Sequence, residues 1–412
     1  MEIQVKANRM GPKTELKRYA TDASVHLDAL RGIAAVWVLL GHSRGLYIKT
    51  GLSEILAGSL EGSVAPVSST PEPMAISHLR FGQLLAGRVS VSHIAVIVFF
   101  VLSGYLVGGS VLRTMRKGSF SWKKYLFQRL TRLWIVLLPA LLLGAAFDAC
   151  GLYLLHSQLD IYRAGPYVAP VIAGRFTFGA FFGSAFFLQG IVTPTFGTNG
   201  PLWSLSYEFW FYIFFPLLVT VLLISKRARV RVPAGLLLLA LVAMSGWKIG
   251  AYFLIWLLGA GIALLPLRLP SRLRGISTGA AGLLLLFTIY LELRSPINPF
   301  LSDFILGAVF SLFLWTVLHA QEISVHPLYR ASAQTLSHMS YTLYLVHYPM
   351  LVLISALLMP VWGLWPLSPQ SVLKLLPILV IVFAASWLVY YCFERNTDRI
   401  RNWLTRPAEG RA

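Results

Sequence analysis

The sequence is short of charge, and shortest of acid. Only 12% of its 412 residues are charged, with 16 Asp and Glu against 35 Lys and Arg. A soluble domain carries about 25% charged residues, so the surface needed to solvate a water-borne globule is missing. Cysteine is scarcer still. Cys150 and Cys392 are the two present, which excludes a disulfide scaffold. The topology below sets them near opposite membrane faces, beyond the roughly 7 Å between Cα atoms that a bridge allows. No segment between the hydrophobic runs is long enough to bury a core of its own, which excludes a soluble domain carried on a single anchor. The first twenty-odd residues lack a short apolar run and a small-residue cleavage site, so no signal peptide is expected. The first hydrophobic helix is expected to direct its own insertion.

What is present is apolar. Hydrophobic residues make up 57% of the chain, the mean hydropathy is +0.69, and runs of about 20 apolar residues recur, the length that crosses a bilayer core of about 30 Å. The expected fold is an all-α, polytopic membrane bundle of about ten helices: 27–47, 91–112, 133–153, 202–225, 233–247, 251–267, 276–293, 301–319, 340–359 and 372–393. The division between the fifth and sixth is the weakest, because only GWKIG (246–250) separates them.

The formal charge of +19 raises the prospect of nucleic acid, but its distribution argues for topology. Basic residues gather in RTMRKGSFSWKKYLFQRLTR (113–132), KRARVR (226–231), RLPSRLR (268–274) and ERNTDRIRNWLTR (394–406). Those segments fall on one side of the membrane when both termini are cytoplasmic, as the positive-inside rule requires. The domains expected are a basic cytoplasmic tail (1–26), one membrane domain (27–393) and a second cytoplasmic tail (394–412). Residues 48–90 read as an outer loop. The stretch 176–192, FTFGAFFGSAFFLQGIV, reads as a re-entrant or interfacial segment, since it is bounded by Gly and Pro and falls slightly short of a span.

Four stretches carry polar groups into this apolar frame. In LDALRGIAAVWVLLGHS (27–43), Arg31 and His42 are eleven residues apart, three helical turns plus about 20°, so they share a face about 16 Å apart along the axis. Asp28 sits one turn before Arg31 and can pair with it. Ionisable residues inside a membrane are costly and usually mark a site or pathway, and histidine suits proton removal near neutral pH. At the start of helix three, Arg129 and Arg132 of FQRLTRLW share a face and could grip a phosphate. Helix two holds a small Ser103–Gly104 step open to close approach. GTNGPLWSLSYEFWFYIFFP (197–216) opens a helix with Ser204, Ser206, Tyr207 and Glu208, and SYTLYLVHYP brings His347 into helix nine. Ordinary readings stand beside these. Arginines near the inner face satisfy the charge rule, a helix N-terminus favours Glu208, and a lone His is often a packing residue.

Taken in order, LDALRG…LLGHS with its Arg-x10-His, FFVLSGYL, QRLTR, PLWSLSYEFWFY, SYTLYLVHYP and the terminal FERN resemble the membrane-bound acyltransferase-3 family. The resemblance runs from about residue 25 to 400. It implies transfer of an acyl group, often acetyl, from cytoplasmic acyl-coenzyme A to a hydroxyl of a carbohydrate or glycolipid acceptor. It places the family's motif histidine on His42 and its arginines on Arg31, Arg129 and Arg132, with Asp28, Ser206, Tyr207, Glu208 and His347 as candidates for supporting or acceptor-binding roles. No permanently bound cofactor or metal is implied, the donor being acetyl-CoA or another acyl-CoA. The implied setting is a bacterial inner membrane, with polysaccharide assembly proteins as candidate partners and no nucleic acid. The extra esterase-like domain of some members is expected to be absent. His42 would either deprotonate the acceptor or carry the acyl group transiently. A transporter of a glycan or small solute is the rival reading, in which the same buried charges line a translocation path.

Overall fold

The computed structural model describes residues 22–49, 91–155, 157–224, 227–265, 269–294, 298–319 and 326–405. The expected outer loop at 48–90 and the N-terminal tail lie almost entirely outside these residues. The elements are α1 (Asp22–Tyr47), α2 (Val91–Arg116), α3 (Trp122–Leu154), the short α4 (Ala169–Arg175) and α5 (Phe178–Ala185), and α6 (Gly200–Leu223). Then follow α7 (Ala228–Ser245), α8 (Trp247–Ile262), α9 (Ser271–Arg294), α10 (Pro299–His319), α11 (Pro327–Leu358), α12 (Pro369–Cys392) and α13 (Thr397–Thr405). Among the described residues there is no strand beyond isolated bridges.

Nine of these helices are long and apolar enough to cross a membrane, and the protein is a multi-pass all-α membrane bundle. The tenth expected crossing is α8, whose 16 residues span only about 24 Å at 1.5 Å per residue. Gly246, with φ +87°, breaks the chain between α7 and α8, because a left-handed residue ends one helix and re-aims the next. Leucines at 236, 239, 283, 373 and 388 point outward, as side chains facing lipid should. Both cysteines are free thiols.

The centre of the bundle is α1, packed between α2 and α11, with α3 and α6 alongside. Helix α2 meets α8 at a crossing made by small residues. A Cβ on Gly104 would strike the carbonyl oxygen of Trp256, and one on Gly259 would strike that of Val101. The Ser103–Gly104 step thus serves backbone approach, the packing that replaces hydrophobic driving force inside lipid. Replacing Gly104 with leucine should force the two helices apart and cost at least the ~1–3 kcal/mol of an overpacked core. A lowered thermal midpoint of the detergent-purified protein is the expected result, and an unchanged midpoint would contradict this packing.

The segment 157–199 folds over one end of the bundle as α4, α5 and ordered turns, in place of a span. Asp148 of α3 fixes its return by accepting from Thr198 N and Oγ1, both at 2.8 Å, and from Tyr162 Oη at 3.1 Å. Gly197 (φ +57°) packs its Cα against that carboxylate, where a Cβ would not fit. Phe187 adopts φ +61°, a conformation that bulky residues rarely hold. Its carbonyl is pinned by Ser206 Oγ at 2.8 Å and Trp210 Nε1 at 3.1 Å.

Candidate active site

The register of α1 carries Arg31 and His42 to one side of the bundle, and two neighbouring helices complete each end. Around Arg31 lies a cavity of about 660 Å³, lined by Asp28, Arg31, Arg129, Arg132, Glu208 and Glu394 among others. Arg132 pairs with Glu394 at 3.1 Å, and Glu394 also accepts from the backbone and hydroxyl of Thr342. Asp28 accepts from Ser337 Oγ at 2.7 Å rather than pairing directly with Arg31. Glu208 accepts from Tyr212 Oη at 2.5 Å. Arg31 therefore sits amid both signs of charge: Arg132 repels it while Asp28, Glu394 and Glu208 attract it.

Arg129 is held differently. Its guanidinium carbon lies 5.7 Å from the ring centroids of both Tyr125 and Tyr212, and its buried Nε has no hydrogen-bond partner among the described residues. The local sequence explains the clamp. Pro216 cannot donate to the carbonyl four residues earlier, which frees Tyr212 O to accept from Tyr125 Oη at 3.0 Å. The result is a cation braced on two aromatic faces with donor capacity to spare.

The far wall of the cavity includes Ser204, Phe99 and Tyr344. Tyr344 Oη lies 2.5 Å from Ser204 Oγ and donates to Pro201 O. One turn along α11 comes His347, which is fully buried, and its Nε2 lies 2.8 Å from His42 Nδ1. The two rings stack at 5.1 Å, and Tyr348 sets its ring edge-on to His42. His347 Nδ1 lies 3.0 and 2.8 Å from the carbonyl oxygens of Leu343 and Tyr344. Carbonyls only accept, so Nδ1 of His347 carries the proton and its Nε2 is the acceptor. His42 Nδ1 then donates, and the lone pair of His42 is left on Nε2.

This wall depends on a proline. Pro349 leaves Leu345 O without its helical donor, and Asn199 Nδ2 supplies one at 2.8 Å. The turn that leads into α6 is thereby tied to the turn that carries His347.

The structure thus gathers Asp28, Arg31, Arg129, Arg132 and Glu208 into one cavity and brings His42 and His347 into contact behind its far wall. Ser206 and Tyr207 are not among the lining residues. Ser206 turns to Phe187, and Tyr207 joins an aromatic cluster with Trp203, Phe100 and Tyr252. Glu394 was missed as a site residue because FERN reads as the start of a basic tail. The signal available was a lone carboxylate directly after an apolar span, and α13 beyond it packs back on α3, so the membrane domain's packing continues past residue 393. Among the described residues no group of three or more His, Cys, Asp or Glu is placed to hold a metal ion.

A family model described as an acyltransferase domain, of the acyltransferase-3 type, matches residues 25–391. Nodulation protein 10 of Rhizobium leguminosarum bv. viciae is 31% identical over 162 residues, which cover 38% of this chain and 40% of that protein's length. No solved structure matches.

Proposed function

Because the chain belongs to the acyltransferase-3 family, we propose that it is a membrane O-acyltransferase that moves an acyl group, acetyl foremost, from cytoplasmic acyl-CoA to a hydroxyl of an exported or cell-surface carbohydrate. The setting proposed is a bacterial inner membrane with both termini cytoplasmic. The observation that carries this reading is the single cavity running from three arginines to the wall behind which His42 and His347 meet.

The arginine end suits the donor's phosphates. Guanidinium forks match phosphate oxygens, and Arg129 has an unused buried donor there. The acyl-thioester end of the donor then reaches toward the histidines. His42 Nε2 takes the proton of the acceptor hydroxyl as its oxygen attacks the thioester carbonyl carbon. The carbon–sulfur bond breaks, and the proton passes to the departing thiolate, leaving an ester and free coenzyme A. His347 holds His42 in the tautomer that this requires. Glu208 and Glu394 fix the arginine geometry through Tyr212 and Arg132.

The test is release of coenzyme A thiol by the purified protein in nanodiscs, given acetyl-CoA and a panel of bacterial glycans. Acceptor-dependent release supports the enzyme, and its absence with every acceptor and acyl length moves the reading to transport. Arg129→Ala is expected to raise the KM for the donor about tenfold, some 1.4 kcal/mol, with kcat little changed. Arg129→Lys is expected to restore little of it, since an ammonium lacks the planar fork. An unchanged KM in both variants would remove Arg129 from the donor site.

A further inference from the structure

A second histidine cluster occupies the end of the bundle where α2 begins. His93 Nε2 lies 2.8 and 2.9 Å from the two carboxylate oxygens of Asp303 on α10. Tyr252 of α8 donates to the same carboxylate at 2.5 Å. Glu292 of α9 accepts from Ser302 and faces Asp303 and His93 electrostatically. Four helices thus contribute to one polar knot inside an apolar frame. No local pattern marks it, since His93 and Asp303 are 210 residues apart.

Two groups in the knot are left open by the described residues. Glu292 is 3% exposed, yet its Oε1 has no hydrogen-bond partner among the described residues. His93 has a side chain 27% exposed. Its Nε2 is committed to Asp303, and its Nδ1, on the other side of the ring, makes no protein hydrogen bond among the described residues. A knot built only to staple helices would not leave Glu292 Oε1 open, because an unpaired buried polar atom costs about 1–3 kcal/mol, and the partly exposed edge of His93 beside it is accessible to a ligand.

Placement ties the knot to the site already described. His93, Val96, Phe100 and Ser103 lie three, four and three residues apart, one face of α2, and the last three line the donor cavity. His93 therefore stands at the outer end of the stripe whose inner end faces the arginines. Gly41 sets α1 directly against Ser92, so close that a Cβ would stand 2.7 Å from Ser92 N. His42 and His93 are the residues next to that contact and share one depth in the bundle. At the start of α6, Ser204 faces Tyr344 and the His347 side, while the ring of Trp203 stacks on His93 with centroids 6.0 Å apart.

Resting on the acyltransferase reading, we propose that His93, Asp303, Tyr252 and Glu292, with Trp203 beside them, form the acceptor subsite, binding a neutral sugar ring. His93 Nδ1 and Glu292 Oε1 take two of its hydroxyls, and Asp303 and Tyr252 act as positioning residues that fix the imidazole. A sugar offers adjacent hydroxyls and an apolar ring face. A carboxylate, an imidazole edge and an indole are the complementary set. The donor then enters from the arginine end of the stripe and the acceptor from the His93 end.

The test measures sugar binding without donor, on the full chain in nanodiscs, with maltotetraose, cellotetraose and an N-acetylhexosamine tetramer as probes. Wild type is expected to bind at least one of them. His93→Gln, which can still donate to Asp303, and Glu292→Gln are each expected to weaken that binding tenfold or more. Arg129→Ala should leave it unchanged, and acetyl-CoA affinity should be the same in His93→Gln as in wild type. A helix staple would instead lower the thermal midpoint and disturb both ligands. The proposal is overturned if no probe binds wild type, or if binding survives both substitutions. Failure of the acyltransferase reading would look different, with sugar bound normally and no coenzyme A released.

Discussion

His42→Ala should reduce turnover about a thousandfold, roughly 4 kcal/mol of barrier at 1.36 kcal/mol per decade, while donor affinity stays close to wild type. The size follows from the role. Proton transfer by a positioned side chain contributes about 10²–10⁴-fold, and His42 is the ring whose Nε2 has no partner among the described residues once Nδ1 donates to His347. The arginines proposed to hold the donor lie on the other side of the wall made by Tyr344 and Ser204, so the substitution should not reach them. Steady-state kinetics with acetyl-CoA separates the two effects. A fall in kcat with KM retained is the expected pattern, and a mutant with near-normal kcat would remove His42 from the chemistry.

His347→Ala carries the second large effect, on the order of a hundredfold in kcat, the scale of a reacting group misplaced by about 1 Å. His347 meets no substrate in this account. It accepts from His42 through Nε2 and is itself locked by the carbonyls of Leu343 and Tyr344. Without it the Nδ1 proton of His42 has no buried acceptor and the ring can turn or change tautomer. His347→Gln places an amide oxygen where Nε2 was and should recover part of the loss. Equal loss in both variants, accompanied by a lowered thermal midpoint, would mark His347 as a packing residue alone.

The fold was legible because lipid simplifies the problem. A span must be helical and apolar for about 20 residues, and its basic flanks report orientation. Composition therefore anticipated about ten crossings, nine of which are helices long enough to span, and the doubt over GWKIG fell on the junction where Gly246 turns the chain and α8 falls short of a span. That 176–192 forms no span was legible in its length and its Gly and Pro borders.

The site was legible only where it is local. The Arg31–His42 register is a property of one helix, and so is the Arg129–Arg132 spacing. The partners are not. Residues 42 and 347 are 305 apart, and Glu394 looks like part of a tail. Ser206 and Tyr207 looked equivalent to Ser204 in sequence. The rotation of α6 decided between them, sending Ser206 to the strained carbonyl of Phe187 and Ser204 to Tyr344. The carbonyl freed by Pro349 and filled by Asn199 is visible in sequence only as a missing donor.

The most direct measurement follows radiolabel from acetyl-CoA in sealed proteoliposomes, with donor supplied to the arginine face and glycans present on the opposite face. The account predicts labelled glycan and released coenzyme A in equal amounts, from wild type and not from His42→Ala. Coenzyme A that stays bound to its acetyl group in wild type, with every glycan and with longer acyl donors, would contradict it.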